Sequence, residues 1–396
     1  MAPVPEIFYF LSSSESPVTS SSPFWGKVLP LTREHKKVFT PTETDEEFCY
    51  GDYFKAARAF IESDDYSVIR QAIHLQSKRE IKTKNIKAID IYLEKHGEFY
   101  HPARIVVTLD GQDLAFMLNM AISDTGKAHI DNEYRHLKRL NSEFPYDYLP
   151  CVYGTGRIRT RRKKEINMFL GNWFEGFYEF HLSIDEKDHR QKMNIWGETG
   201  VSLSLSDEQV LSLYAQASHI LTLYYNAVTF EHIASWHHAA GDFIVRIENK
   251  QLALKLITVR RYESLFRIED QKEALAPNTQ SIMNAMLIFL LNLLIRMRLD
   301  RRDGIGEILW ADDVAVNGAL TGFLAALTLK PEIPCLPDTV SACFRCYLSS
   351  CTSTDLLDLS RQILYKTIPN TPEFFIAKRH LNNHIHVLSK AIHQMI

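Results

Sequence analysis

Asp110-Gly111 stands between two runs of alternating apolar residues, and no other dipeptide narrows the folding options of this chain as much. Residues 99–109 precede it and residues 113–122 (DLAFMLNMAI) follow it, each reading as a strand. An Asp-Gly pair favours a tight reversal because glycine takes a positive φ without steric cost. The two strands are therefore expected to pair antiparallel. An earlier strand carries Ile89, Ile91 and Leu93 on one face and ends in a turn at Lys95-His96-Gly97-Glu98.

The pattern then changes period. Ile130, Tyr134, Leu137 and Leu140 fall on one face of a helix over 130–140, which also carries Glu133. Short strands follow at 148–152 and 166–170, with a basic loop between them at 157–164 (RIRTRRKK). Before the strands, residues 1–44 read as a Ser-, Thr- and Pro-rich tail with surface aromatics, and residues 45–80 read as helical. Beyond 173 the chain is mainly helical. Ser206-Asp207-Glu208 starts a helix as a cap followed by acidic first-turn residues should. A loop and hairpin interrupt at 232–259, and helices resume from 268 to the end. Three segments are expected: a tail and helical extension (1–84), a β-rich small lobe (85–172) and a mainly helical large lobe (173–396).

Composition excludes several classes. The chain is 45% apolar and 23% charged with a net charge of −3, so no electrostatic footprint for nucleic acid covers its whole surface. A nucleic-acid contact is expected only through the basic 157–164 run, which otherwise reads as an exposed hairpin. Cys343 and Cys346 form a C-x-x-C with only Cys351 nearby and no closely following histidine, which reads as reduced thiols. The N-terminus lacks a basic region leading into an apolar core, and the most apolar segment, 282–299, is interrupted by Asn284, Asn292, Arg296 and Arg298. That segment reads as a buried helix, and the expectation is a cytoplasmic protein without a membrane contact.

The richest chemistry sits in residues 236–245 (WHHAAGDFIV), just before the hairpin. His232, His237, His238 and Asp242 bring imidazoles and a carboxylate together. A hydrogen-bonded structural loop, a functional pocket and a metal site are all open for this cluster. His237 has the chemistry of a base near neutral pH. Trp173, Phe174, Phe177, Tyr178 and Phe180 read either as core between lobes or as a wall for a stacked ligand.

Three strands, a helix bearing a Glu, two more strands, a connector, a helix, then a loop with a hairpin: this order resembles the protein kinase-like superfamily, nearest its aminoglycoside and choline phosphotransferase branch. The resemblance covers roughly residues 85–330. It implies an α+β bilobal fold, with a small, mostly antiparallel β lobe, a larger helical lobe and here a helical N-terminal extension. It also implies ATP and magnesium as cofactors. The turn over the nucleotide would then hold Gly97 where the kinase pattern has three glycines. The position of the phosphate-binding Lys falls on Asn119, whereas the supporting Glu is matched by Glu133. Residues 172–178 would connect the lobes and face an adenine. In the catalytic loop, Ser235 takes the place of the His, His237 that of the catalytic Asp, and Asp242 that of the metal-binding Asn. The second metal-binding Asp falls on Thr258. Asn119, His237 and Thr258 thus lack the usual chemistry, whereas Asp242 keeps a carboxylate for a metal. Arg260 and Arg261 follow the hairpin and could offset a phosphate's charge.

Three readings follow. The chain is a pseudokinase-type protein binding a nucleotide, a small phosphorylated ligand or a protein partner in the cleft. Alternatively, it is an active phosphotransferase-like enzyme using His237 and Asp242. Alternatively, it is a structural interaction module with an inert cleft.

Overall fold

The computed structural model describes residues 4–12, 14, 16–30, 48–97, 99–160, 164–197, 202–234, 236, 241–266 and 278–396. The chain divides into two compact units, Met1–Glu175 and Gly176–Ile396.

The first unit is built on a six-stranded sheet. Its elements are β1 (Glu6–Leu11), α1 (Tyr50–Ser77), β2 (Ala88–Leu93), β3 (Ala103–Leu109), β4 (Gln112–Ala121), α2 (Asp124–Glu143), β5 (Val152–Arg159) and β6 (Glu165–Asn172). The spatial order is β1-β2-β3-β4-β6-β5, antiparallel throughout except that β1 runs parallel to β2. Leu109 pairs with Gln112 across Asp110-Gly111, with Gly111 at φ 75°, so the expected reversal sets the register of β3 on β4. The helix between β4 and β5, with β6 returning beside β4, is the kinase-like layout expected from the element order.

Residues 1–44 are more than a tail. Glu6–Leu11 adds a strand to the sheet, pairing Ile7 with Ile89 and Tyr9 with Ile91. The helical extension packs on the same sheet. Ile89, Ile91, Ile105, Val107, Phe116, Leu118, Ile166 and Met168 face Phe54, Ile61, Ile69 and Ile73 of α1 in one core. Those four α1 side chains are fully buried and contribute roughly 6–12 kcal/mol of gross burial before chain entropy is charged against it. The approach is close at β5. A Cβ on Gly154 would lie 2.6 Å from Val68 Cγ2, and one on Gly156 would lie 2.6 Å from Phe60 Cε2. The Gly-Thr-Gly of β5 is therefore the footprint of α1. The helix itself breaks at Ser63–Tyr66, where Asp64, Asp65 and Tyr66 take left-handed φ values of 48°, 57° and 59°.

The second unit opens with a three-stranded meander that periodicity did not suggest: β7 (Phe180–Ile184), β8 (Gln191–Trp196) and β9 (Ser202–Ser204). Then come α3 (Asp207–Leu223), β10 (Glu231–Ile233), β11 (Phe243–Glu248), β12 (Gln251–Leu256), β13 (Tyr262–Ser264) and α4 (Thr279–Met297). They are followed by β14 (Leu299–Arg301), β15 (Ile308–Trp310), α5 (Val314–Leu327), α6 (Val340–Ser350), α7 (Ser353–Thr367) and α8 (Pro372–Met395). Ser206 caps α3, its Oγ accepting from Gln209 N–H at 3.3 Å while Gln209 Oε1 accepts from Ser206 N–H at 3.0 Å. α4 is long and apolar enough to cross a membrane, but 67% of that stretch is buried within the protein. α5 lies against α3 so closely that a Cβ on Gly322 would fall 1.9 Å from the Ala215 carbonyl oxygen. The architecture is α+β: a mostly antiparallel β unit and a mainly helical unit.

Candidate functional site

The site in the second unit follows from hairpin geometry. β11 and β12 join through Asn249-Lys250, both at positive φ (50° and 68°), a two-residue reversal that pairs Glu248 with Gln251. The same register pairs Phe243 with Leu256 at the open end. The residues just outside it must meet, and Ile257 N–H donates to the Asp242 carbonyl at 2.7 Å. Thr258 and Arg260 follow in the exit from β12, and both side chains reach Asp242.

Asp242 is 2% exposed, and its carboxylate is gripped at two points. Arg260 Nη2 donates to Oδ1 at 2.7 Å, and Arg260 Nη1 donates to Oδ2 at 3.0 Å. Thr258 Oγ1 also donates to Oδ1, at 3.3 Å. A forked guanidinium on a carboxylate is the strongest neutralising arrangement side chains offer. The two positions that the kinase-like pattern reserves for metal ligands, Asp242 and Thr258, are thus brought together, with the Arg260 guanidinium bound to Asp242.

Further cations stand nearby. Arg296, one of the charges interrupting the apolar run, donates from Nη2 to the Trp236 carbonyl at 2.9 Å, its guanidinium centre 5.3 Å from the centre of the Trp236 ring. Burial lowers its pKa and Arg261 adds to that, whereas Asp242 opposes it. Arg261 pairs with Glu263 at 3.4 Å. His232 is buried, its pKa pushed down to about 4 by burial, so it is neutral at pH 7. His237 and His238 lie outside the described residues. Among the described residues, no group of three or more His, Cys, Asp or Glu side chains converges as a metal site.

In the first unit, Asn119 is on β4 opposite Phe169 of β6, on the face away from the α1 core. Both Asn119 and Glu133 are buried, at 8% and 0% exposed. Glu133 shares a buried stripe of α2 with Ile130, Leu137 and Leu140, and α2 packs on β4, β5 and β6. Asn167 Nδ2 donates to both oxygens of Asp131 at 3.2 Å, and Arg157 from the basic run donates to the same carboxylate at 2.8 Å. Trp173 and Phe174 are half-buried, with the Arg104 guanidinium 5.8 Å from the centre of the Trp173 ring.

Gly97 closes a turn by donating its N–H to the Tyr100 carbonyl at 2.9 Å. The rest of that loop is tied to α1. His96 and His101 meet Nδ1 to Nδ1 at 3.1 Å, Tyr50 Oη lies 3.2 Å from His96 Nε2, and Tyr53 Oη donates to the His101 carbonyl at 2.9 Å. One imidazole must donate and the other accept, so the pair needs at least one neutral ring. Burial, with His96 adding to it, pushes the His101 pKa down to about 3. The tether joins residues roughly 45 apart, and the sequence carried no local sign of it. Arg296 had one: a charge inside an apolar helix.

No protein-family model matches the chain, and no curated protein matches it. Among solved structures it is similar to WaaP in complex with acyl carrier protein. That match has 10% identity and a TM-score of 0.31 over 69% of this chain and 86% of that one. It is also similar to a chain in the complex of Neurospora crassa PAN2 (WD40-CS1) with PAN3 (pseudokinase and C-term), at 12% identity and a TM-score of 0.28. That match covers 72% of this chain and spans 62% of the other.

Proposed function

We propose that this is a kinase-like binding protein that does not carry out standard phosphoryl transfer and takes an anionic ligand, a nucleotide or small phosphorylated molecule, without magnesium. The observation that carries this reading is the forked Arg260–Asp242 pair. In phosphoryl transfer a divalent cation neutralises the phosphate oxygens and must itself be held by carboxylates. Here the carboxylate at the metal position is engaged at both oxygens by a guanidinium. Its neighbour is the hydroxyl of Thr258, and the phosphate-binding Lys position holds Asn119. These residues do not fit a magnesium–ATP centre. They fit a carboxylate already neutralised by a guanidinium, beside which Arg296 carries the further positive charge. The reading with His237 as base would need Asp242 free to share a metal, against the engagement of both its oxygens.

Calorimetric titration with ATP, with magnesium or with EDTA, tests this. The expected result is binding unchanged by EDTA and weakened roughly tenfold or more in Arg296→Ala. Binding that requires magnesium and disappears in Asp242→Ala would show a live metal site. No heat at millimolar ATP would remove nucleotide as the ligand and leave the protein-partner reading, to be tested by affinity capture.

A further inference from the structure

The break in α1 has a counterpart on the segment after the helix. Together they line an open surface pocket of about 510 Å³, formed by Arg70, Lys82, Lys84, Asp65, Tyr66 and Thr83 with Val4. That volume falls within the range of small-molecule sites, roughly 300–1,000 Å³. Its charge is one-sided: three cations face a single carboxylate. Lys82 and Lys84 make no ion pair among the described residues. Arg70 reaches Asp65 only at 3.9 Å, beyond hydrogen-bond range, while its Nε is shielded from solvent without an acceptor among the described residues. A guanidinium has five N–H donors, and here the one on Nε is buried without an acceptor among the described residues while the side chain is about a third exposed, at 34%.

The wall that creates this geometry is strained. Asp64, Asp65 and Tyr66 hold successive left-handed backbone conformations, which L-residues visit at a cost of about 1 kcal/mol or more each. The break lets Thr83 Oγ1 donate to the Asp65 carbonyl at 3.2 Å, pinning the turn Thr83–Asn85 across from Arg70. Lys82 and Lys84 flank the pinned residue and are thereby held over the pocket. A straight helix would carry residues 64–66 past this turn without forming the wall.

We propose that this pocket is a second binding site, which takes a compact phosphate-bearing molecule on Arg70, Lys82 and Lys84. Guanidinium and ammonium groups converging on a small space are the donors that phosphate oxygens recognise. The rim argues for a compact ligand over an extended polyanion: Asp64 and Asp65 are both exposed beside the pocket and would repel a nucleic-acid strand running across it. The site lies wholly in the first unit and shares no residue with the guanidinium cluster around Asp242.

Pyrophosphate and inorganic phosphate titrated into the full chain at low salt test the proposal. Pyrophosphate is expected to bind, and phosphate to bind more weakly. Lys84→Glu and Arg70→Gln should each weaken pyrophosphate roughly tenfold or more. Arg190→Glu, at an exposed cation of the second unit, should leave it unchanged. Lys82 and Lys84 are exposed, so their substitutions should not impair folding, which a melting curve checks. Absence of pyrophosphate binding at millimolar concentration would overturn the proposal. So would binding that survives Lys82→Glu combined with Lys84→Glu, or a single-stranded oligonucleotide binding more tightly than pyrophosphate through the same lysines.

Discussion

Replacing Arg260 by alanine should both destabilise the second unit and open it to a metal. The side chain of Asp242 is 2% exposed and that of Arg260 is 23% exposed. Removing one partner of a buried pair costs about 3–5 kcal/mol, because the remaining charge is stranded. Arg260 is partly solvated and its loss admits some water, which discounts the cost to about 2–3 kcal/mol. For a unit of this length each kcal/mol moves the melting temperature by about 2–4 °C, so the transition should fall by about 4–12 °C. Differential scanning calorimetry reads it. Arg260→Lys should fall between the two, since an ammonium keeps the charge and loses the fork. The second readout is magnesium. With the guanidinium gone, the two Asp242 oxygens beside the Thr258 hydroxyl become a divalent-cation ligand, so magnesium should raise the melting temperature of Arg260→Ala and leave the parent unchanged. An Arg260→Ala protein that melts within about 1 °C of the parent would refute a formed, buried pair. A parent protein stabilised by magnesium would refute the claim that Arg260 stands in for the metal.

Gly322→Ala should cost about 3 kcal/mol, the upper end for overpacking, because its Cβ would meet the Ala215 carbonyl oxygen at 1.9 Å and only separation of α3 from α5 relieves that; thermal melting measures it. Acid should unfold the protein through its buried neutral histidines. Burial pushes His101 and His384 down to about 3 and His232 down to about 4, with His96 adding to the effect at His101 and Arg298 adding to it at His384. Their folded pKa values lie below the unfolded one, so the stability they contribute is present above about pH 6.5 and is lost as pH falls toward the folded values, by up to about 1.4 kcal/mol per pH unit per histidine. His384→Leu should flatten that acid limb in urea titrations at several pH values. It should not weaken the protein at pH 7, since neither ring nitrogen of His384 has a hydrogen-bond partner among the described residues.

Elements with strong local signals were legible in the sequence. β3 and β4 around Asp110-Gly111, the amphipathic stripe of α2, the capped start of α3 and the hairpin of β11 and β12 each declare themselves within a dozen residues. β1 did not, because its pairing with β2 is parallel and its partner lies far along the chain. β7 to β9 were hidden by the aromatic-rich stretch before them. The site was legible to the same depth. Register alone places Asp242 beside Thr258. That Arg260 grips Asp242 depends on the path of the chain after β12, and that Arg296 stands nearby depends on how α4 packs, neither of which local pattern encodes.

The parallel strand at the start of the chain has a consequence for biosynthesis. β1 cannot be placed until β2 has left the ribosome, and α1 must wait for the sheet whose face it covers. β1 is therefore seated only after strands that follow it in the sequence, and until then β2 presents an open row of backbone donors and acceptors to any neighbouring chain. Residues 6–11 thus serve as a late-arriving guard on the sheet's edge. A chain translated without them should remain catalogued by circular dichroism as folded while gaining a tendency to self-associate that rises with concentration.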